Sequence, residues 1–294
     1  MQQAISGKDS KFAGSALDLP RWVQLPGLCC QAAGGDSLST DDIAAAWFLF
    51  YAAAHIMDSL EDRDAPEPWW ETAGSGAALA AATGLYFTAS SIISQLSSQR
   101  IPLSAASQVI RDFNISFLRI SAGQYQDIQS QVQSLEQYRW IATAKSGAFF
   151  ALACRCGARL ATRKAGLIQA YSQFGEYLGQ LIQVLDDLEE YQYVGNPGKV
   201  VKIDQSLPVI YALEVSAEPE RSRLNECLKS ATVDERAALE ALRLVEQSGA
   251  ALYVGTEVER LRTLALSVLE QAAPLSPARE ELMAFISLLV QPPH

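Results

Sequence analysis

A long apolar helix that ends in a cluster of acidic residues places the strongest constraint on how this chain folds. The stretch 179–191 reads GQLIQVLDDLEEY, so apolar side chains give way to Asp186, Asp187 and Glu190 at its end. At 3.6 residues per turn, Asp186 and Glu190 share one face, and Gln183 and Asp187 form a second such pair. Carboxylates held together at the end of an apolar helix raise one another's pKa unless a cation lies between them. Oxygen ligands without nearby histidine or cysteine favour Mg²⁺, although a solvated acidic helix end has the same pattern.

A second acidic cluster lies far upstream and repeats this geometry. The apolar run 52–57 precedes Asp58 and Asp62, which stand one turn apart on one helix face. Two antiparallel helices of a bundle can direct both clusters at the mouth of one cavity. Facing carboxylates at an apolar pocket indicate Mg²⁺ that bridges to the diphosphate of a hydrocarbon substrate. The chemistry that such a site supports is ionisation of the substrate in a dry cavity.

Composition favours one all-helical domain. The 294 residues are 49% hydrophobic, glycine and proline cluster between periodic segments, and alternating strand patterns are scarce. The patterns predict helices at 20–33, 43–64, 75–97, 103–128, 135–160, 164–191, 206–214, 220–230, 233–247, 250–272 and 277–290. We therefore predict a flexible N-terminal arm at 1–17 and a single domain at 18–294.

Charge, cysteine and histidine content narrow the classes of function. A net charge of −10 argues against nucleic acid as a partner. No uninterrupted apolar run reaches the length of about eighteen residues that a membrane span needs, so we predict no integral membrane segment. The N-terminus lacks the apolar core of a signal peptide, and the five cysteines show no zinc spacing. We therefore predict reduced thiols and a cytoplasmic location, and two histidines argue against a histidine triad or a zinc hydrolase.

Over residues 20–290 the chain resembles the trans-isoprenyl diphosphate synthases, the polyprenyl synthetase family of class I isoprenoid synthases. The segment 58–62, DSLED, stands where the family has its first DDxxD motif, with Ser59 in place of the second aspartate. The segment 183–190, QVLDDLEE, matches the second motif and closes with a glutamate. Further matches follow in the family's order: Gly123-Gln124, Lys145-Ser146, Gly179, Gly198-Lys199 and Leu207-Pro208.

The resemblance implies an all-α isoprenoid synthase bundle with a central cavity. It implies Mg²⁺-dependent ionisation of a C10–C20 allylic prenyl diphosphate with release of diphosphate, three Mg²⁺ ions and a homodimer. The catalytic residues are then Asp58, Asp62, Asp186 and Asp187, which bind metal together with Glu190. The residues assigned to the diphosphate are Lys145, Lys199, Gln183 and Gln124.

The helix of the first motif also predicts the depth of the pocket. Trp47, Tyr51 and Ala54 share a face with Asp58 and are predicted to line the pocket. At 1.5 Å rise per residue, Tyr51 lies about 10 Å and Trp47 about 16 Å below Asp58. The two rings are candidates for the floor and for stabilising a cation, although ordinary core packing accounts for the same residue types.

The chain departs from the family where elongating enzymes hold their second substrate, isopentenyl diphosphate. The segment that is basic in the family reads LPRWVQLP in this chain, at 19–26. Tyr51 stands at a position that is polar in the family, and PEPW at 66–69 replaces the family's arginine pair. A desolvated diphosphate needs cationic donors, and Arg21 alone is a poor substitute. Arg111 and Arg119 are distant residues that could rebuild the site in three dimensions.

These departures favour a terpene-synthase-like outcome in which the cation cyclises or loses a proton, with isopentenyl diphosphate a poor co-substrate. Three alternatives stay open. The first is a chain-elongating polyprenyl diphosphate synthase. The second is prenyl transfer to another acceptor such as an indole, because the segment 58–64 also resembles bacterial enzymes that prenylate tryptophan in a peptide pheromone. The third is a non-catalytic partner subunit, which the replacement of an acid by Ser59 favours.

Overall fold

The computed structural model describes residues 20–62, 73–96, 101–129, 134–192, 205–231 and 234–290, and these ranges are helical without any β-strand. The all-α prediction is therefore confirmed. The helices are α1 (Leu25–Ala32), α2 (Asp41–Asp62), α3 (Ser75–Ser94), α4 (Leu103–Gln129), α5 (Leu135–Ala142), α6 (Ala148–Ala161), α7 (Ala165–Gln192), α8 (Leu207–Val215), α9 (Glu220–Ser230), α10 (Glu235–Gln247), α11 (Ala250–Gln271) and α12 (Ala278–Leu289). The predicted arm at 1–17 lies outside the described residues, and the single domain at 18–294 stays a prediction.

The long helix α7 lies at the centre of the bundle because apolar residues recur along it at helical spacing. Tyr171, Phe174, Leu178 and Leu181 are fully buried, and they follow one another at intervals of three or four residues. Helix α7 packs against α6 on one side and against α11 on another. One hydrophobic core includes residues from Trp22, near the start of the described chain, to α12.

Two of the predicted helices differ from the structure in helix type as well as in their bounds. The first predicted helix begins with a 3₁₀ turn at Arg21–Gln24 before α1. The predicted helix at 135–160 is interrupted by a π-helical segment, Thr143–Gly147, between α5 and α6. Apolar periodicity did not reveal this interruption, because a π segment inserts one residue per turn without breaking the helix.

Two helical stretches, Ser37–Glu61 and Ser75–Ser94, are long and apolar enough by composition to cross a membrane. Core helices of soluble proteins pass the same test, so this observation is weak evidence for a membrane span. It nevertheless differs from the sequence reading, which considered only uninterrupted apolar runs. The absence of an integral membrane segment and the cytoplasmic location stay predictions.

Candidate functional site

The first acidic motif lies at the C-terminal end of α2, where the helix leaves the core. Ile43 and Trp47 are fully buried lower in the helix, whereas Asp58 is half-buried and Glu61 is exposed. Asp62 is the last residue of α2, and its side chain lies outside the described part of the structure. The motif is therefore presented at one end of the bundle, with apolar packing beneath it.

Lys145 links this motif to a neighbouring helix. Its ammonium nitrogen lies 3.4 Å from Asp58 Oδ1 and 2.5 Å from Asp127 Oδ2. Lys145 belongs to the π segment, and such segments are frequent at functional sites because they shift a side chain out of helical register. A cation is thus held between carboxylates that come from α2 and α4, which are distant in sequence.

Two glycines allow the π segment to approach its neighbours. A Cβ added to Gly179 of α7 would lie 2.1 Å from the carbonyl oxygen of Ser146. A Cβ added to Gly123 of α4 would lie 3.0 Å from Lys145 Cγ. Ordinary contacts begin at 3.4 Å, so neither helix could come this close with a larger residue. Helices α4 and α7 therefore hold the π segment, and with it Lys145, from two sides.

Helix α4 contributes one residue that the sequence analysis predicted and one that it missed. Gln124 Nε2 donates a hydrogen bond to Glu61 Oε2 over 3.0 Å, which places the predicted Gln124 beside the first motif. Asp127 was not predicted, although it follows Gln124 by three residues on the same helical face. That spacing was the one feature of the sequence that could have pointed to Asp127. The role of Asp127 follows from its ion pair with Lys145, which is eighteen residues away in sequence.

The second acidic motif places its two aspartates in different environments. Asp186 is exposed, whereas Asp187 is 6% exposed. Gln183 Nε2 donates to Asp187 Oδ1 over 3.0 Å, and the backbone N–H of Leu207 donates to Asp187 Oδ2 over 2.9 Å. Because Leu207 is the first residue of α8, Asp187 also accepts from an N–H that has no partner within that helix.

Gln183 connects this motif to the π segment. The hydroxyl of Ser146 donates to Gln183 Oε1 over 2.8 Å. A chain of hydrogen bonds therefore runs from Ser146, next to Lys145, through Gln183 to Asp187. The contacts of Gln183 and Asp187 that the structure shows are therefore contacts with other protein groups. The assignment of Gln183 to the diphosphate and of Asp187 to metal stays a prediction.

Tyr138 of α5 lies against the second motif and was not singled out from the sequence. Its side chain is buried, and its hydroxyl has no partner of ordinary hydrogen-bond geometry among the residues that the structure describes. Burial raises the pKa of Tyr138 well above its usual range, and the negative charge of Asp187 raises it further. The phenol therefore stays protonated beside this carboxylate. No local sequence pattern could have revealed the contact, since α5 and α7 are brought together by folding alone.

The predicted pocket residues on α2 divide into a packed base and an accessible upper part. Trp47 is fully buried, donates a 3.0 Å hydrogen bond from Nε1 to the Phe149 carbonyl, and stacks on that phenyl ring at 4.6 Å. Tyr51 and Ala54 are half-buried, and the Tyr51 ring contacts Trp22 at 4.6 Å. Trp47 therefore supports the floor from below. Tyr51 and Ala54 are the predicted residues that remain accessible.

Trp22 was not predicted, because the sequence analysis considered its segment only for missing cations. It belongs to the 3₁₀ turn at Arg21–Gln24 and is 2% exposed. Its ring meets Trp47 at 4.9 Å as well as Tyr51. Arg21 beside it is exposed. Arg119, one of the two distant candidates, makes a 3.2 Å ion pair with Glu176.

Part of the predicted metal site lies outside the described residues. Lys199 lies in such a range, and Glu190 is within α7 but its side chain is not described, as for Asp62. Among the side chains that the structure does describe, no three of histidine, cysteine, aspartate or glutamate form a metal-binding group. The metal assignment of the two motifs therefore stays a prediction. The observation that agrees with a metal site is that Asp58 and Asp127 already attract one cation, the Lys145 ammonium.

The comparisons with known proteins agree on one protein family. A sequence model described as polyprenyl synthetase matches residues 28–245. Geranylgeranyl diphosphate synthase of Mycobacterium tuberculosis is 28% identical over 202 residues, which are 64% of this chain and 56% of the relative. The small subunit of the chloroplastic heterodimeric geranylgeranyl pyrophosphate synthase of Arabidopsis thaliana is 28% identical over 170 residues, 55% of this chain and 51% of the relative. The chain thus spans about half the length of the curated relatives that it matches.

The fold also matches a solved structure. The crystal structure of geranylgeranyl pyrophosphate synthetase from Pyrococcus horikoshii superposes with a TM-score of 0.81 at 19% identity. The match covers 93% of this chain and 86% of that one. At this identity the likeness concerns the fold, and it confirms the helical architecture that the sequence predicted.

Proposed function

Since this chain belongs to the polyprenyl synthetase family, we propose that it is a chain-elongating prenyl diphosphate synthase. The relatives that it matches are named as synthases of prenyl diphosphates. These comparisons favour the elongating alternative over the terpene-synthase-like cyclisation that the sequence departures had suggested. In the proposed reaction, an allylic prenyl diphosphate loses diphosphate by cleavage of its C–O bond. The double bond of isopentenyl diphosphate then forms a new C–C bond, and a proton is lost.

The observation that carries this proposal is the position of Lys145 between Asp58 and Asp127. An ammonium at the acidic end of the bundle provides the donor that a leaving diphosphate needs, because charge-assisted hydrogen bonds are the stronger ones. Below it, Ala54 and Tyr51 leave an accessible apolar face for a hydrocarbon chain. In the proposed complex, the charge of the substrate lies at the rim and its hydrocarbon tail points towards the core.

The donor set of this end suits Mg²⁺. Asp58 and Asp186 provide carboxylate oxygens, Gln124 provides an amide oxygen, and no histidine or cysteine ligand is required. Asp62 and Glu190 would complete the set on α2 and α7. When bound, Mg²⁺ neutralises the charge that develops on the departing diphosphate. The chain's own residues orient the diphosphate through Lys145 and exclude water with the aromatic floor.

Mass spectrometry of products tests the proposal directly. Purified protein with Mg²⁺ is incubated with C10, C15 or C20 allylic diphosphate, each with and without isopentenyl diphosphate. We expect products longer by five-carbon units that form only when isopentenyl diphosphate is present. A cyclic or eliminated hydrocarbon formed equally well without it would refute elongation and restore the terpene-synthase-like reading. A prenylated indole formed from added tryptophan peptide would instead support the other acceptor.

Two aspartates of the same helix provide a matched pair of variants for this assay. Asp58→Asn removes the charge that faces Lys145 and should reduce product formation at least about 100-fold. Asp41→Asn makes the same change at an aspartate in the first turn of α2. It lies about 25 Å away along the helix, so it should leave turnover within about twofold. Equal losses in the two variants would show that Asp58 has no special role.

A second candidate is a partner subunit that requires another chain for activity. It is favoured by Ser59, which replaces an acid of the first motif, and by similarity to a relative named as the small subunit of a heterodimeric synthase. Diphosphate release from the pure protein separates the two functions. A folded protein that releases no diphosphate alone, but raises the turnover of an added prenyl diphosphate synthase in complex with it, would favour the partner subunit.

We also propose that the chain forms a homodimer through α3 and α4. Helix α4 is apolar on a second, outward face, where Ile115, Leu118 and Tyr125 recur at intervals of three and seven residues. On α3, Leu79 and Phe87 are exposed as well. Leu118→Glu should shift the mass measured by light scattering from dimer to monomer. Leu252→Glu on α11 is the control, since Leu252 is 80% exposed and Leu118 is 73% exposed. A monomeric wild-type protein would end this proposal.

A further inference from the structure

A cavity of about 720 Å³ lies at the opposite end of the bundle from the acidic motifs. Its walls come from the start of α4, the end of α6 and the start of α7. Along α7, the 22 residues from Ala165 to Asp187 span about 33 Å, so the two sites are separate. The residues that the argument uses are Gln108, Arg155, Arg159, Thr162, Arg163 and Ala165.

Three arginines line this cavity, two on α6 and one just after it. Arg155 and Arg159 lie one turn apart on one face of α6, whereas Arg163 lies in the short connection to α7, after the helix has ended and Thr162 is extended. Asp112 of α4 pairs with the first two, at 3.4 Å from Arg155 Nε and 2.7 Å from Arg159 Nε. Arg163 is exposed and makes no ion pair with any described residue. Two of the three guanidinium groups therefore share one carboxylate, and the third is paired with no carboxylate among the described residues.

The first two arginines are held in place before any ligand arrives. Arg155 donates hydrogen bonds to the hydroxyls of Ser116 and Ser172, and Arg159 donates to the side-chain oxygen of Gln108. Their side chains are 22% and 17% exposed. Such fixed guanidinium groups present donors at little further cost in side-chain entropy, which favours binding of a planar or tetrahedral anion.

The charge around the cavity is unusual for this chain. The protein carries a net charge of −10, yet no aspartate or glutamate is among the described residues that line the cavity. With Asp112 counted, two positive charges remain uncompensated, and Lys164 follows directly after Arg163. Cationic side chains that are concentrated in one cavity of an otherwise acidic protein attract anions to that cavity.

The start of α7 adds donors on the same side. The first N–H groups of a helix have no acceptor within it, and the first turn of α7 contains no acidic residue to satisfy them. Thr162 Oγ1 accepts from the N–H of Lys164, and the N–H of Leu167 donates to the Lys164 carbonyl oxygen, so the N–H groups of the first turn without an acceptor in the helix are those of Ala165 and Gly166. Gly166 has no atom within 4 Å of an added Cβ, so the approach is open.

We propose that this arginine cavity binds a phosphate-bearing anion, of which inorganic diphosphate is the simplest example. Arg155 and Arg159 form the fixed wall, Arg163 contributes an exposed third guanidinium, and Ala165 at the N-terminus of α7 lines the same space. A purely structural role explains the pairs with Asp112, which join α4 to α6. It does not explain Arg163, which takes no part in that network.

Calorimetric titration with inorganic diphosphate, in the presence of EDTA, tests this site without metal. We expect saturable binding to the full chain. Arg163→Glu should weaken it at least about tenfold, as for the loss of a charge-assisted contact, while leaving the urea midpoint unchanged. Arg163→Lys should lose less. Arg236→Glu, an exposed arginine of α10 with the same change in charge, should bind within about twofold of the wild type.

Two further experiments determine which site binds the anion and whether the anion is a free phosphate or a lipid headgroup. Lys145→Gln should retain the binding, which would show that the acidic end is not responsible and makes the result independent of the proposed enzymatic function. Sedimentation with phosphatidylglycerol vesicles should show no binding that depends on Arg163. The proposal is overturned if wild-type protein binds no diphosphate in EDTA, if Arg163→Glu binds as well as wild type, or if only vesicles bind.

Discussion

Replacing Gly179 by alanine probes a close backbone contact between α7 and the π segment at the acidic end of the bundle. The added Cβ would lie 2.1 Å from the Ser146 carbonyl oxygen, 2.5 Å from its carbonyl carbon and 2.8 Å from the Gly147 nitrogen. All three are backbone atoms, so no side chain can rotate away. Ordinary contact begins at 3.4 Å, so α7 and the π segment must move apart by about 1.3 Å to accommodate the Cβ.

Two effects of opposite sign decide the stability of Gly179→Ala. Alanine favours a helix interior over glycine by about 1 kcal/mol. Overpacking of a fixed core typically costs about 1–3 kcal/mol, and backbone clashes cannot be relieved by a rotamer change. We therefore expect a net loss of up to about 2 kcal/mol in the free energy of unfolding. Urea denaturation followed by circular dichroism at 222 nm measures it.

The effect on turnover should be larger than the effect on stability. Lys145 and Ser146 belong to the displaced segment, and a misplacement of about 1 Å in a catalytic group can reduce the rate about 100-fold. Gly255→Ala is the control, because an added Cβ there meets nothing within 4 Å and α11 gains helix propensity. Its stability should be unchanged or up to about 1 kcal/mol higher. If Gly179→Ala matched Gly255→Ala in stability and diphosphate release, the clamped π segment would be refuted.

Three other perturbations follow from single contacts. Asp187→Asn presents an amide group to one of two donors, Gln183 Nε2 or the Leu207 N–H, and should cost about 1–3 kcal/mol of stability in urea denaturation. Tyr51→Ala removes the accessible ring below Ala54 and should shift products to longer chains in mass spectrometry. In the native protein, Ellman's reagent should titrate about one thiol at pH 8. Cys227 is the partly exposed cysteine, whereas the other four are buried, and burial raises the pKa of Cys29 and Cys156.

Each of these has a control and a contrary result. Asp234→Asn, at the exposed N-cap of α10, keeps its hydrogen bond to the Arg236 N–H and should change stability little. Equal stabilities of the two asparagine variants would contradict the anchoring role of Asp187. An unchanged product length in Tyr51→Ala would place the floor elsewhere. Rapid reaction of three or more thiols in the folded protein would contradict the buried cysteine positions, and full titration in guanidinium should give five.

The sequence by itself determined the helical class and the approximate ends of most helices. Apolar residues at helical spacing located α2, α4 and α7 to within a few residues, because a buried stripe on a helix must recur every three or four positions. The sequence also identified the two acidic motifs and Lys145, since their residue types and order match a family that the comparisons support. These features are local, and local chemistry is visible in a linear chain.

Tertiary structure alone decided which of these residues meet. Asp127 became part of the site because the π segment directs Lys145 between α2 and α4, and the π segment itself has no distinct periodicity. Asp187 is buried and Asp186 is exposed, and the buried carboxylate finds a donor in the N–H of Leu207 at the start of α8, twenty residues later in the chain. Arg155 and Arg159, which pair with Asp112, likewise look like ordinary helix charges until α4 and α6 are brought together. Contacts between distant segments depend on how helices pack, and packing depends on backbone approaches such as that at Gly179.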